Sequence, residues 1–259
     1  MGGPREEFLE ACQTVVKAFA PEGFRWLRSK CDLVRKDEPF TFRLHFQSSF
    51  RNFLANATHQ GPSRGPTDRV ASSVPTLFVP LGIQLMEIDE YGSVKLIPHV
   101  EVDDTRIAEW RTTMHRPVRS DGSVMGSNLG YLSEQRSWLE INLANPQVRD
   151  SRVAALISLI RTKALPFFAR FHRDEDVLEK LVETGFEGAL DFAEVEHAVF
   201  LGGVEAGRKV IERCFRKWPT AEVDYRIALA DYRKNGIQEV WESTAGHRLA
   251  KAAILLGIE

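Results

Sequence analysis

The spacing of apolar residues changes character near residue 147, and that change constrains the fold more than any motif. Upstream, the period is two. In 40–47, Phe40, Phe42, Leu44 and Phe46 alternate with Thr41, Arg43, His45 and Gln47, which reads as a β-strand with one core face and one polar face. Residues 24–35 are expected to pair with it through a turn at Lys36-Asp37-Glu38-Pro39. A strand is expected at 76–88, where Pro80 and Gly82 point to a bulge or an edge. Another follows at 93–102 after the turn Asp89-Glu90-Tyr91-Gly92, and a short one at 137–143, where Leu139, Ile141 and Leu143 alternate with Trp138, Glu140 and Asn142. Downstream, the period is 3.6. Val153, Leu156, Ile157, Ile160 and Leu165 form one stripe, which Pro166 ends or kinks. Asp174 is placed to cap DEDVLEKLVETG, and Gly185 closes that helix. Further helices are expected at 188–217, 220–234 and 237–256, with breaks at Trp218-Pro219 and Asn235-Gly236.

A helix is also expected at 4–19, where Phe8, Leu9, Cys12, Val15, Val16 and Phe19 recur at three- and four-residue steps and Pro21 with Gly23 stops the run. Strands followed by helices indicate an α+β fold: an antiparallel sheet of about five strands flanked by helices 4–19 and 148–172, then an all-helical C-terminal part. The boundary falls near 185, giving an α+β domain over 1–185 and a helical subdomain over 186–259. Segments 61–69 and 115–130 read as loops, the second long and rich in Gly and Ser.

The charge balance, 34 Lys and Arg against 36 Asp and Glu, argues against a surface that grips nucleic acid or a membrane as a whole. No apolar run approaches the roughly 20 residues of a membrane-spanning helix, and the N-terminus lacks the basic and apolar regions of a secretory signal. Cys12, Cys31 and Cys214 are odd in number and far apart, which fits a reducing, cytoplasmic setting and excludes a disulfide framework or a four-cysteine zinc site.

Catalytic signals are weak. None of the seven histidines forms His-Glu-x-x-His. His45 and His99 lie on expected strands and can meet across a sheet with Glu101 or Glu140, a combination of imidazole and carboxylate that suits zinc or iron. The ligand spacing of a metal motif is missing, however, so neither a metal nor a cofactor is expected. Gly202-Gly203-x-x-x-Gly207 lacks the Lys-Ser/Thr of a phosphate loop and reads as small residues that let helices approach. There is no Gly-x-Ser-x-Gly. Cys12 and Cys214 fall on apolar faces, whereas Cys31 follows Arg28 and Lys30, which would favour its thiolate. No catalytic residue is assigned.

The distribution of charge says more. Between 174 and 196, Asp174, Glu175, Asp176, Glu179, Glu183, Glu187, Asp191, Glu194 and Glu196 are opposed by Lys180 alone. The next segment reverses sign, with Arg208, Lys209, Arg213, Arg216 and Lys217 against Glu205 and Glu212. Two readings stand: solvated helix faces that attract each other, or an acidic docking surface for a basic partner. The polar face of strand 41–47, with Arg43, His45 and Gln47, is either a ligand or partner surface or the wet face of an antiparallel sheet. Direct RNA binding is discounted, because the aromatics of this strand fall on its core face.

Three segments together resemble a bacterial family of uncharacterised α+β proteins: FTFRLHFQSSFRN at 40–52, VPTLFVPLGIQL at 74–85 and ALPFFARFHRDEDVLEKL at 164–181. The sequence departs from that pattern at Ser48 and Pro80. Members of that family are similar to immunity or accessory proteins encoded beside toxins, so the resemblance implies a protein-binding role without an active site. The expectation is a non-enzymatic binding protein that occludes a basic toxin domain, with Asp174, Glu175, Asp176, Glu179, Glu183 and Glu187, and Arg43, His45 and Gln47, as partner-binding residues. The alternatives are an enzyme working through Arg43, His45 and Glu140, or an adaptor built on the C-terminal helices.

Overall fold

The computed structural model describes residues 3–49, 53–54, 91–114, 122–186, 191–237 and 244–258. Helix α1, Pro4–Phe19, starts where Gly3 donates its N–H to the Glu6 carboxylate at 2.9 Å, and buries Phe8, Ala11, Cys12, Val15 and Phe19. Strands β1 (Arg25–Leu27), β2 (Asp32–Asp37) and β3 (Phe40–Ser48) follow as an antiparallel meander. The segment expected as one strand over 24–35 is therefore two, separated by a turn in which Cys31 takes φ 54°. The β2–β3 turn is Glu38-Pro39 alone rather than the four residues 36–39, and this fixes the register at Asp37↔Phe40 and Asp32↔His45.

Strand β3 alternates as the sequence requires, with Phe40, Phe42, Leu44 and Phe46 buried. The short pair β4 (Phe53–Leu54) and β5 (Gly92–Ser93) stands apart from the main sheet. Strand β6, Lys95–Asp104, pairs antiparallel with β3 from Phe40↔Asp104 to Ser48↔Leu96. Helix α2, Thr105–Thr112, begins at once, because the Asp104 carboxylate accepts the Arg106 N–H at 2.9 Å. Strand β7, Ser123–Asn128, closes the order β1-β2-β3-β6-β7, and β8, Ile141–Asn142, pairs with the Lys95 end of β6.

Two expectations need correction here. The loop expected over 115–130 contains β7 and a 3-10 turn at Leu129–Leu132. Its polar composition is compatible with a strand because the buried Asn128 side chain accepts from Gly130 N–H and Leu139 N–H and donates to the Leu139 carbonyl. The strand expected at 137–143 shrinks to the two residues of β8.

Helix α3, Pro146–Leu159, packs beside α1, buries Val153 and Leu156 in the core and continues through a π-helical turn, Ile160–Ala164, into α4, Leu165–Phe168. Pro166 stands in the first turn of α4, which runs only to Phe168 before a 3-10 turn, Ala169–Phe171. Aromatics seal this layer: Phe42 and Phe168 centroids are 4.9 Å apart, and Phe40 and Phe171 5.6 Å. Helices α5 (Asp174–Glu183), α6 (Asp191–Lys217), α7 (Pro219–Asn235) and α8 (Ala245–Leu256) complete the chain. Arg173, not Asp174, is the residue at the N-cap of α5. Gly203 interrupts α6 with φ 75°, a conformation that side-chain-bearing residues resist. The main hydrophobic core runs from Phe8 through the sheet to Ile258, and a smaller cluster joins Ala228, Tyr232 and Ala250 between α7 and α8. No helix of the described residues is long and apolar enough to cross a membrane. The loop expected at 61–69, the strand at 76–88, residues 115–121 and Glu187 lie outside the described residues.

Candidate functional site

Antiparallel register stacks the polar residues of β3 into rows with those of its neighbours. Arg43 lies between Val34 and Glu101, and His45 lies between Asp32 and His99. The Arg43 guanidinium bonds Glu101 at 2.9 Å and Asp103 at 2.8 Å and stands 3.6 Å from Asp32. Burial works against its charge, but Asp103, Glu101 and Asp32 outweigh that cost and hold its pKa above the usual range. His45 Nδ1 is 2.7 Å from an oxygen of Asp32, a carboxylate only 3% exposed. The His99 ring lies 5.9 Å from the His45 ring, and its Nε2 is 3.2 Å from Gln47 Oε1. Burial, and then His45, push the His99 pKa down, while Glu101 opposes them. Trp138, 47% exposed, meets His99 edge-on at 5.5 Å.

Arg43, His45 and Gln47 therefore share one face, as their alternation requires. Glu140 forms an ion pair with Lys95, four residues and about 13 Å along β6 from His99. A cavity of about 650 Å³ opens beside the cluster, lined among others by Thr41, Arg43, Glu101, Asp103, Asp104 and Ser123. Asp32, His45 and His99 are not part of its wall. Among the described residues no group of three or more His, Cys, Asp or Glu is placed to hold a metal ion.

The acidic run divides. Glu175, Asp176, Glu179 and Glu183 are exposed on α5, with Val177 and Leu181 anchoring the opposite side. Asp174 instead turns to Arg106, which donates to both of its oxygens at 2.8 Å while also gripping Asp104. That hydrogen bond holds the Asp174 carboxyl below its ordinary pKa. Asp176 pairs with Arg173. Glu194 and Glu196 are inside the protein: Glu194 pairs with Arg213 and accepts Phe186 N–H at 2.6 Å, and Glu196 pairs with Arg111. Next to them His197 is 1% exposed, and burial pushes its pKa down to about 4.

Several of these residues carried no usable sequence signal. Glu194 and Glu196 look like surface charges until their partners, 19 and 85 residues away, are known. Asp32 had a signal, since a two-residue turn at Glu38-Pro39 would have set it opposite His45. Cys12 and Cys214 are buried as their periodicity indicated, and burial pushes the Cys12 thiol far up.

Together these features define a mixed α/β protein, an antiparallel sheet followed by a helical C-terminal part, with a charged sheet face and an acidic helix. Comparison with protein-family models, with curated proteins and with solved structures finds no match to this chain.

Proposed function

We propose that the chain is a non-enzymatic binding protein that docks a basic protein partner on α5, and in its most concrete form an immunity protein that covers a toxin's active site. The observation that supports this is the exposed carboxylate row on α5. Glu175, Glu179 and Glu183 step by four residues along one face, with Asp176 beside them. A toxin that attacks nucleic acid carries cations to neutralise phosphate, and a row of carboxylates presents similar charge. The resemblance of segments 40–52, 74–85 and 164–181 points the same way, and free Cys12, Cys31 and Cys214 suit a cytoplasmic setting.

The enzyme alternative is weaker because its parts are dispersed. Glu140 is engaged by Lys95, Arg43 by carboxylates, and the His45–Asp32 pair lies outside the cavity wall. Arg43, His45 and Gln47 serve in this proposal as a secondary contact surface.

A labelled oligolysine peptide tests the docking face. Glu175, Glu179 and Glu183 all changed to Lys should weaken its binding tenfold or more at low salt, with the difference shrinking as salt rises. A control changing Glu10, Glu109 and Glu212 to Lys alters net charge equally but on three separate helices. Equal losses in both variants would show a general charge effect and refute α5 as the docking face.

A further inference from the structure

We infer that His45 and His99 form a two-histidine site for a borderline divalent transition-metal ion, of the class Cu²⁺, Ni²⁺ or Zn²⁺, on the polar face of the sheet. They are direct cross-strand partners on β3 and β6, so the backbone holds both imidazoles side by side. A ligated imidazole places its ring centre about 3.2 Å from the ion, so two rings on one ion sit between about 4.5 Å apart at a right angle and about 6.4 Å apart when opposed. The observed centroid separation is 5.9 Å.

The surrounding bonds also suit ligation. A metal-binding imidazole characteristically gives its second ring nitrogen to a carboxylate or carbonyl, which fixes the ring and raises its basicity. His45 does this through Nδ1 to the buried Asp32 carboxylate at 2.7 Å, and His99 through Nε2 to the Gln47 amide oxygen at 3.2 Å. His45 Nε2 and His99 Nδ1 are left for a ligand among the described residues. Trp138 meets His99 edge-on, and the Glu101 carboxylate accepts from Arg43 through Oε2. Two protein nitrogens with water in the remaining positions make a reversible site, and imidazole donors favour Cu²⁺ over the other first-row ions. The site is remote in sequence from α5 and stands whether or not that helix docks a partner.

Titration of the full chain with Cu²⁺ alone, followed by electron paramagnetic resonance, tests the inference. Wild type should take up one tight Cu²⁺ whose spectrum shows two coupled nitrogens. His45→Ala and His99→Ala should each weaken uptake on the order of a hundredfold, because the second imidazole acts as a tethered ligand, and each should remove one nitrogen from the spectrum. His172→Ala, at an exposed histidine elsewhere, should change neither. Asp32→Asn should weaken binding about 10- to 100-fold while keeping two nitrogens. Should that variant fail to fold, the two histidine variants alone decide. Unchanged affinity in either of them, or a wild-type spectrum with a single nitrogen, overturns the site.

Discussion

Lowering the pH from 7 to 5 should cost the wild-type protein about 2 kcal/mol of folding stability through one residue, His197. The side chain is buried in α6, stacked on Phe200, with its Nε2 lacking a hydrogen-bond partner among the described residues. Charges face it from three elements: Asp104 at the end of β6, Arg106 and Arg111 on α2, and Asp174 on α5. Burial dominates and the two arginines add to it, so the folded pKa falls from 6.5 to about 4 although both carboxylates oppose the shift. In the unfolded chain His197 takes up its proton near pH 6.5; in the folded chain it does so only near 4. The unfolded state therefore binds more protons throughout this window, and stability falls as pH drops from about 6.5 to 4. The full loss, at 1.36 kcal/mol per unit, is about 3 kcal/mol, of which about 2 kcal/mol has accrued by pH 5. Asp174 does not confuse the window, because a carboxylate held below its ordinary pKa loses its contribution only at lower pH. Urea unfolding of wild type and His197→Leu at both pH values measures the effect. The variant should lose about 2 kcal/mol less than wild type between pH 7 and 5, while His99, whose pKa is also lowered, contributes equally to both proteins. Parallel losses would show that burial of His197 does not exclude its proton, and would refute the reasoning.

Two further outcomes are expected. Glu196→Gln removes the carboxylate that pairs with the buried Arg111 guanidinium and should destabilise the fold by about 3–5 kcal/mol, whereas Arg111→Met combined with Glu196→Leu should recover most of that loss; urea midpoints of the three proteins decide, and a double variant as unstable as the single one would refute the ion-pair account. Gly203→Ala should cost about 1–3 kcal/mol from backbone strain alone, because no atom of the described residues lies within 4 Å of the added methyl, and Gly203→Asn should cost as much, because φ 75° with ψ −177° lies outside the left-handed helical region that asparagine tolerates; equal thermal midpoints for wild type and both variants would show that the positive φ is not required.

The period change near residue 147 was legible because it follows from burial: residues that share a strand face recur every two positions, and those that share a helix face every three or four. That fixed β3, β6, α1, α3 and the C-terminal helices before any contact was known. Strand β7 was not legible, because Ser123, Gly126, Ser127 and Asn128 are residues that local preference assigns to loops; pairing with β6 and the internal bonds of Asn128 make them a strand. The acidic run was visible as composition, but only packing separates Glu175, Glu179 and Glu183, which stay at the surface, from Glu194 and Glu196, which are buried against arginines far away in sequence. The candidate metal site has the same logic. Alternation placed His45 on a polar face, whereas its two partners were set by register: the two-residue turn at Glu38-Pro39 brings Asp32 beside it, and the β3–β6 pairing brings His99. A side chain's face follows from its neighbours in sequence, but its partners depend on how distant segments align, and in this chain only the tertiary structure decided that alignment.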